Sequence, residues 1–269
     1  MQTTPMRSAL FVPGNRPERF TKALASGADI VIVDFEDAVE ETQKAQARDH
    51  LCAFLDANPD ARVWVRVNTA GHAEHAADLN ACQHASVVGI LLPKAESREQ
   101  VALVATTGKP VMPIIESAKG LAELAAIAQA PGVTRLTYGR LDLGLDLGLN
   151  EGSSGAERML DQVRYALLLH SRLAALAAPL ESVFPAIDNS DGLADATRAA
   201  AGMGFSGLLC IHPRQIAVVH SALRPSADEL DWAQRVIAAS EGRGAFRLDG
   251  AMVDAPVIAR ARRLLAFAL

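Results

Sequence analysis

VMPIIESAKGLAELAAIAQAPGVTRLTYGRLD (residues 111–142) is the stretch whose reading decides the fold. It opens with a continuous apolar run at 111–115, passes through a helical pattern at 121–128, and returns to a second apolar run at 133–138. A strand, a helix and a second strand in this order make a crossover unit, so the two strands read as parallel and buried on both faces. Glu116 ends the first run, and Asp142 follows the second just past Gly139. Open α/β sheets and α/β barrels keep their chemistry at the carboxyl ends of their strands. Neighbouring strands lie about 4.8 Å apart, so the two carboxylates can converge on one hard cation. Carboxylates, waters and substrate oxygens are the usual holders of Mg²⁺. The plain alternative is a pair of acids in solvated loops.

The same alternation extends in both directions. Strand patterns occur at 8–12, 29–33, 62–67 and 87–92 before this stretch, and at 180–184 and 207–211 after it. Helical patterns separate them at 16–25, 43–55, 72–81, 98–105, 156–176 and 191–201, and one more follows at 214–223. Gly and Pro punctuate the junctions. About eight strand–helix units predict a TIM-type (β/α)8 barrel over residues 1–224, the alternative being an open doubly wound sheet. Residues 225–269 form a helical extension, with helices at 229–239 and 256–267 around a Gly/Arg-rich turn. The apolar face of its last helix (Val257, Ile258, Ala261, Leu264, Leu265) needs a surface to cover. A neighbouring subunit is the expected one.

Composition agrees with this reading. A chain of 269 residues suits a single barrel, and half of them are hydrophobic, enough for a large core. A net charge of −5 without a Lys/Arg block argues against nucleic acid as a partner. Cys52, Cys82 and Cys210 are odd in number and widely spaced, and read as reduced core residues. No signal pattern begins the chain and no apolar run spans a membrane, so the expectation is a soluble cytoplasmic protein.

The segments after the strands collect most of the distinctive polar residues. They include Arg16 and Arg19, Glu36 and Asp37, Arg66, Lys94 and Glu96, Glu116, Asp142, and His212. Acids, arginines and lysines gathered on one rim point to metal-assisted chemistry on an anionic substrate. Lys94 reads as ion-paired or solvated beside Glu96, not as a Schiff-base lysine. Asp146 is a rival ligand that a helical turn would carry off the rim. His212 reads as structural, and no dinucleotide fingerprint is present.

Taken together, seven stretches resemble the HpcH/HpaI aldolase/citrate lyase family, in the branch of the citrate lyase beta subunit and the malyl-CoA and citramalyl-CoA lyases. They are RSALFVPGNRPERFTKALASGADIVIVDFEDAV (7–39), VRVN (65–68), LLPKAES (91–97), PIIES (113–117), YGRLDLGLDLG (138–148), CIHPRQ (210–215) and DGAMVDAP (249–256). Phe35 departs conservatively from the usual Leu, and the chain is short for a dedicated citrate lyase subunit. The resemblance implies a Mg²⁺-dependent carbon–carbon lyase acting on a 3-hydroxyacyl-CoA, with an acyl-CoA and a small 2-keto acid as its partners. It implies Glu116 and Asp142 as metal ligands, and Glu36 and Asp37 as acids that hold metal-bound waters. Arg66 stabilises negative charge on the keto acid. Asp254 acts as general acid/base in a neighbouring subunit's site, which implies a homo-oligomer, a trimer or hexamer. Arg16, Arg19, Lys22 and Lys44 approach the nucleotide and phosphates of CoA. Plainer roles stand beside these: Arg16 and Arg19 as a solvated helix face, Asp37 as a cap or a partner of Lys44, and Asp254 as the N-cap of the last helix. The competing functions are a citrate lyase beta subunit acting on citryl-acyl carrier protein, a CoA-independent pyruvate aldolase, and a non-catalytic CoA-binding or assembly protein.

Overall fold

Eight short parallel strands wind once around a barrel, each followed by helix. The structure, a computed structural model, describes residues 6–241 and 243–266. Residues 1–5, and residue 267 at the expected end of the last helix, lie outside the described residues. The strands are β1 (Ser8–Pro13), β2 (Ile30–Asp34), β3 (Val63–Arg66), β4 (Val87–Leu92), β5 (Val111–Ile115), β6 (Thr137–Tyr138), β7 (Leu180–Glu181) and β8 (Gly207–Cys210). The helices between and after them are α1 (Phe20–Leu24), α2 (Lys44–Ala57), α3 (His75–Ala81), α4 (Arg98–Ala105), α5 (Ala118–Ala122), α6 (Leu124–Ala128), α7 (Arg140–Asp146), α8 (Ser154–Leu173), α9 (Ser190–Met203) and α10 (Arg214–Leu223).

The strands pair in the order β6-β5-β4-β3-β2-β1-β8-β7, all parallel. Backbone hydrogen bonds from Ala177 to Thr134 and from Leu180 to Leu136, each 3.1 Å, close the seam between β7 and β6. This is the barrel that the sequence predicts. The period of two divides its apolar residues into two cores. Ala9, Ile32, Trp64, Leu91, Met112, Ile114, Leu180 and Leu209 fill the interior. Leu10, Val31, Val33, Val65, Leu92 and Ile115 point outward, into the layer shared with Leu51, Val101, Leu160 and Val219 of the helices. Gly89 has no side chain because the Trp64 ring lies where one would stand.

Two departures from the expected elements have a local cause, and β7 ends at Glu181, short of the expected 184. The pairing of β5 with β6 passes from Val111↔Val133 to Ile114↔Thr137, so the second strand carries one extra residue over that span. The ladder breaks there beside Pro113, which has no N–H to give. The helix expected over 121–128 is two short helices, α5 and α6, meeting at Glu123.

The extension consists of α11 (Ala227–Ala239), a hairpin of β9 (Phe246–Leu248) and β10 (Ala251–Val253), and α12 (Ala255–Ala266). The hairpin was not expected. Asp249 and Gly250 have φ of 50° and 82° and form its two-residue loop, the geometry that Asp-Gly favours. The apolar face of α12 does not lack a surface within its own chain. Ile258 and Ala261 are buried with Ala233 and Val236 of α11 and Val253 of the hairpin, in a small core of their own. The apolar face therefore gives no reason by itself to require a neighbouring subunit. Among the described residues no helix is long and apolar enough to cross a membrane.

Candidate active site at the carboxyl ends of the strands

Alternation along three strands aims charge into the mouth of the barrel. Ile32 points inward on β2, so Asp34 does too. Trp64 precedes Arg66 on β3 in the same way, and Met112 and Ile114 precede Glu116 on β5. Asp34 and Arg66 are register partners. Arg66 donates from Nε to Asp34 Oδ1 (2.7 Å) and from Nη2 to Oδ2 (2.6 Å), a two-pronged pair that fixes the guanidinium plane. Its Nη1 lies 2.9 Å from Glu36 Oε2 and 3.5 Å from Asp37 Oδ2, and the group stacks 5.0 Å from the centroid of Phe11. Burial opposes its charge, but the surrounding acids outweigh burial and raise its pKa further.

Glu116 is buried and is held from two sides. Its Oε1 accepts the Lys94 N–H at 2.7 Å. Lys94 presents that N–H from a left-handed conformation (φ 44°), which is uncommon for a side-chain-bearing residue and typical of a functional loop. On the other side Oε2 abuts Gly139, where any Cβ would overlap it. Asp142 stands on the first turn of α7 with Lys94 Nζ 3.5 Å from its Oδ1. Lys94 therefore pairs with Asp142 and not with Glu96, whose carboxylate takes Ser117 Oγ (2.8 Å) and Lys119 Nζ (3.4 Å).

The mouth thus holds five carboxylates (Asp34, Glu36, Asp37, Glu116, Asp142) against Arg66 and Lys94, while Arg140 on the cavity wall is paired with Glu157 at 2.7 Å. Burial pushes Glu116 up to about 7, the Lys94 N–H opposing and Asp142 adding to the rise. Burial likewise pushes Glu36 up to about 8; Arg66 opposes this, and Asp37, Glu116 and Asp34 reinforce it. Glu36 Oε2 is buried without a hydrogen-bond donor despite its nearness to Arg66. An excess of buried acid, two carboxyls whose pKa burial raises, and a buried oxygen met only by Arg66 fit a site that takes a divalent cation and its waters. Among the described residues no three His, Cys, Asp or Glu side chains form a ready cage. Two carboxylates completed by water and substrate oxygens suit Mg²⁺, and they do not suit structural zinc.

A cavity of about 380 Å³ opens over this cluster, lined by Phe11, Asp34, Arg66, Glu116, Asp142 and Ser182 among others. The remaining expected residues lie outside it. Arg16, Arg19 and Lys22 are exposed beyond β1, and Arg16 Nε pairs with Glu18 at 3.0 Å. Lys44 is buried, and its Nζ donates to the carbonyls of Phe35 and Glu36 (3.1 Å each), bracing the loop that carries Glu36. That position removes Lys44 as a surface contact for CoA and also as the partner of Asp37. Asp254 does not line the cavity of its own chain. It precedes α12, where its Oδ1 accepts the Val257 N–H at 3.4 Å. Asp146 accepts the Ala118 N–H at 2.6 Å and so caps α5, off the mouth as expected. His212 Nδ1 accepts the Arg214 N–H, a structural contact. Cys82 and Cys210 are buried, and burial raises Cys210 to about 12, so it is no nucleophile.

The sequence reading missed Asp34 and Gly139 as parts of the cluster, and it placed Lys94 on the rim as an ion-paired or solvated residue but beside Glu96 instead of Asp142. The signal for Asp34 was present: in Ile30-Val31-Ile32-Val33-Asp34 the acid shares parity with two inward isoleucines. Lys94 was misassigned because the left-handed turn that aims it at Asp142 is invisible in sequence.

The family model described as HpcH/HpaI aldolase/citrate lyase matches residues 7–213. A citrate lyase subunit beta-like protein of Mycobacterium tuberculosis is 42% identical over 261 residues, covering 95% of this chain and 93% of the relative. A (3S)-malyl-CoA thioesterase of Cereibacter sphaeroides is 32% identical over 274 residues, covering 98% and 95%. The crystal structure of CitE from M. tuberculosis in complex with magnesium, acetoacetate and coenzyme A superposes with a TM-score of 0.84, at 39% identity over 97% of each chain. The match of fold, length and motif order has one meaning: the chain belongs to the HpcH/HpaI aldolase/citrate lyase family.

Proposed function

We propose that the chain is a Mg²⁺-dependent carbon–carbon lyase that splits a 3-hydroxyacyl-CoA of the malyl-CoA or citramalyl-CoA type into an acyl-CoA and a 2-keto acid, or joins them. The observation that carries this reading is the convergence of Glu116 and Asp142 on a mouth where Arg66 is the fixed cation. In the cleavage direction the 3-hydroxyl loses its proton, the carbon–carbon bond breaks, and its electron pair passes to the α-carbon of the thioester. The enolate so formed takes up a proton, and the keto acid departs. Glu116 and Asp142 would hold magnesium, which when bound would supply Lewis-acid polarisation of the keto-acid oxygens. Arg66 adds a permanent positive charge, and the Asp34 fork holds its plane so that no reorganisation is needed as oxyanion charge develops. Glu36 and Asp37 are suited to orient water at the metal. Arg16, Arg19 and Lys22 remain exposed on the rim after β1 and are suited to CoA phosphates.

Asp254 of a second subunit is proposed as the acid/base. Exposed Tyr165, Leu169 and Leu173, spaced along one face of α8, favour a homo-oligomer. Residues 1–224 would then be the barrel, and 225–269 the part that reaches the neighbour.

Thioester hydrolysis is a second reading, favoured by the similarity to the malyl-CoA thioesterase. One assay separates the two: malyl-CoA and citramalyl-CoA with Mg²⁺, following free thiol and keto acid together. Keto acid released with the thioester intact supports the lyase. Thiol release without keto acid replaces it with the hydrolase. In the reverse direction, acetyl-CoA and propionyl-CoA are screened against glyoxylate, pyruvate and oxaloacetate.

A further inference from the structure

A cavity larger than that of the mouth lies at the other end of the barrel. About 660 Å³ opens where the strands begin, beneath residues that precede β6, β7 and β8 and beside the carboxyl ends of α8, α9 and α10. Five arginines line it: Arg135, Arg172, Arg198, Arg224 and Arg263. The one acid in its wall, Glu229, accepts the Ser226 N–H at 2.9 Å in the capping box of α11. In a chain of net charge −5 this is a local reversal of sign.

Arg135 is the decisive residue. It is 6% exposed, and its Nη1 donates to Ala178 O and Ser206 Oγ. Among the described residues it has no carboxylate partner, and burial alone lowers its pKa to about 10. The other well-shielded arginines are treated differently: Arg48, Arg66 and Arg164 each face two or three carboxylates. A cation buried without a partner is costly and calls for an anion. Helix-end electrostatics account for part of the cluster, because Arg172 lies in the last turn of α8 and Arg224 caps α10. They do not account for Arg135, which lies on no helix. Nor do Arg172, Arg224 or Arg263 donate a side-chain hydrogen bond to any carbonyl or carboxylate among the described residues.

We propose that this cavity is a second ligand site, separate from the acidic mouth, for a small, multiply charged organic phosphate. Guanidinium forks match phosphate oxygens, and several converging arginines match a group that offers three oxygens at one centre. Arg135 is anchored to the frame through Ala178 and Ser206, so it is pre-oriented. Phe205, Leu223, Pro225 and Leu264 supply an apolar wall for an organic body. The volume is within the range of small-ligand sites.

The test is calorimetry on the full chain in chelator, with ADP, pyrophosphate and citrate as probes. Three proteins are compared: wild type, Arg172→Ala/Arg224→Ala, and Arg16→Ala/Arg19→Ala as a control for binding at the mouth. Arg135→Met serves as a second probe where it folds. The expected result is ADP binding with a Kd below about 1 mM, weakened about tenfold or more for each arginine removed from the cavity. The mouth variant should keep the binding event of the cavity and lose at most a separate event that belongs to the CoA phosphates. Equal ADP affinity in wild type and Arg172→Ala/Arg224→Ala overturns the proposal, as does weakening confined to Arg16→Ala/Arg19→Ala. Citrate binding as tightly as ADP overturns the phosphate assignment. A changed molecular mass of Arg172→Ala/Arg224→Ala with unchanged ADP affinity makes the cavity a contact between copies of the chain and also overturns it.

Discussion

Gly139→Ala isolates the geometry of the proposed metal site from its chemistry. Gly139 has φ −101° and ψ 98°, an extended conformation open to any residue, so alanine brings no backbone strain. The effect is steric. A Cβ at this position stands 3.1 Å from Glu116 Cβ and 3.4 Å from its Cδ, and overlaps Oε2. The carboxylate must withdraw by about 1 Å, and a misplacement of that size in a reacting site costs on the order of 10²-fold. That is about 2.7 kcal/mol of transition-state stabilisation. The fold should lose less, because Glu116 borders the open cavity and can move into it. Gly144→Ala is the control. It lies two residues past Asp142 on the same helix, with nothing within 4 Å of an added Cβ. Its helix should gain up to about 1 kcal/mol from the substitution. Mg²⁺ affinity by calorimetry, turnover on the best substrate of the panel, and thermal melting are measured on both. Gly139→Ala with wild-type Mg²⁺ affinity and turnover would refute the placement of Glu116 as a ligand.

Three further outcomes follow from the same cluster. Arg66→Lys should lower kcat/KM by 10²-fold or more (an order-of-magnitude figure), because an ammonium cannot take both Asp34 oxygens and face the mouth as well; near-normal kinetics would make Arg66 a structural partner only. Metal-free protein should lose stability as pH rises from about 4.5 to about 8. Glu116 and Glu36, raised to about 7 and about 8, keep protons in the folded state that the unfolded chain has released, so their contribution is complete below the unfolded value of 4.5 and is lost through the folded ones. Melting in chelator should show this fall, with stabilisation by Mg²⁺ growing over the same window; a flat profile contradicts the burial assigned to the two acids. Finally, inactive Asp254→Asn and Glu116→Gln subunits allowed to exchange should regain part of the activity, and confirmed exchange without recovery would rule out a site shared between subunits.

The fold was legible because its signal is repeated. Eight apolar runs separated by helical patterns give the barrel even when single boundaries drift, as at α1, α3 and α8. Its failures have local causes. The strand expected over 133–138 shrinks to Thr137–Tyr138 because one extra residue must be absorbed opposite Pro113. Apolar spacing alone could not reveal this, because Val133 and Leu136 are as hydrophobic as any strand residue. The α12 face was legible as apolar, but the identity of its cover was not. Spacing shows that a face must be buried without showing against what, and here α11 of the same chain covers it.

The site divides along the same line. Glu116, Asp142 and Arg66 were readable because each ends or follows a strand, and strand ends are a one-dimensional property. Lys44 was placed near CoA by the family resemblance alone, whereas its Nζ turns back to two carbonyls of the loop before it. Asp34 went unnoticed beside the more conspicuous Glu36-Asp37 pair. Yet parity places Asp34 inside the barrel, and register places it against Arg66. The consequence is physical. Glu36 and Asp37 lie on the loop after β2, so their positions depend on Lys44 and on local turns. Asp34 is part of the sheet itself, and the guanidinium it holds inherits the rigidity of the barrel. The charge that faces the mouth is therefore positioned by the element of the fold least able to move.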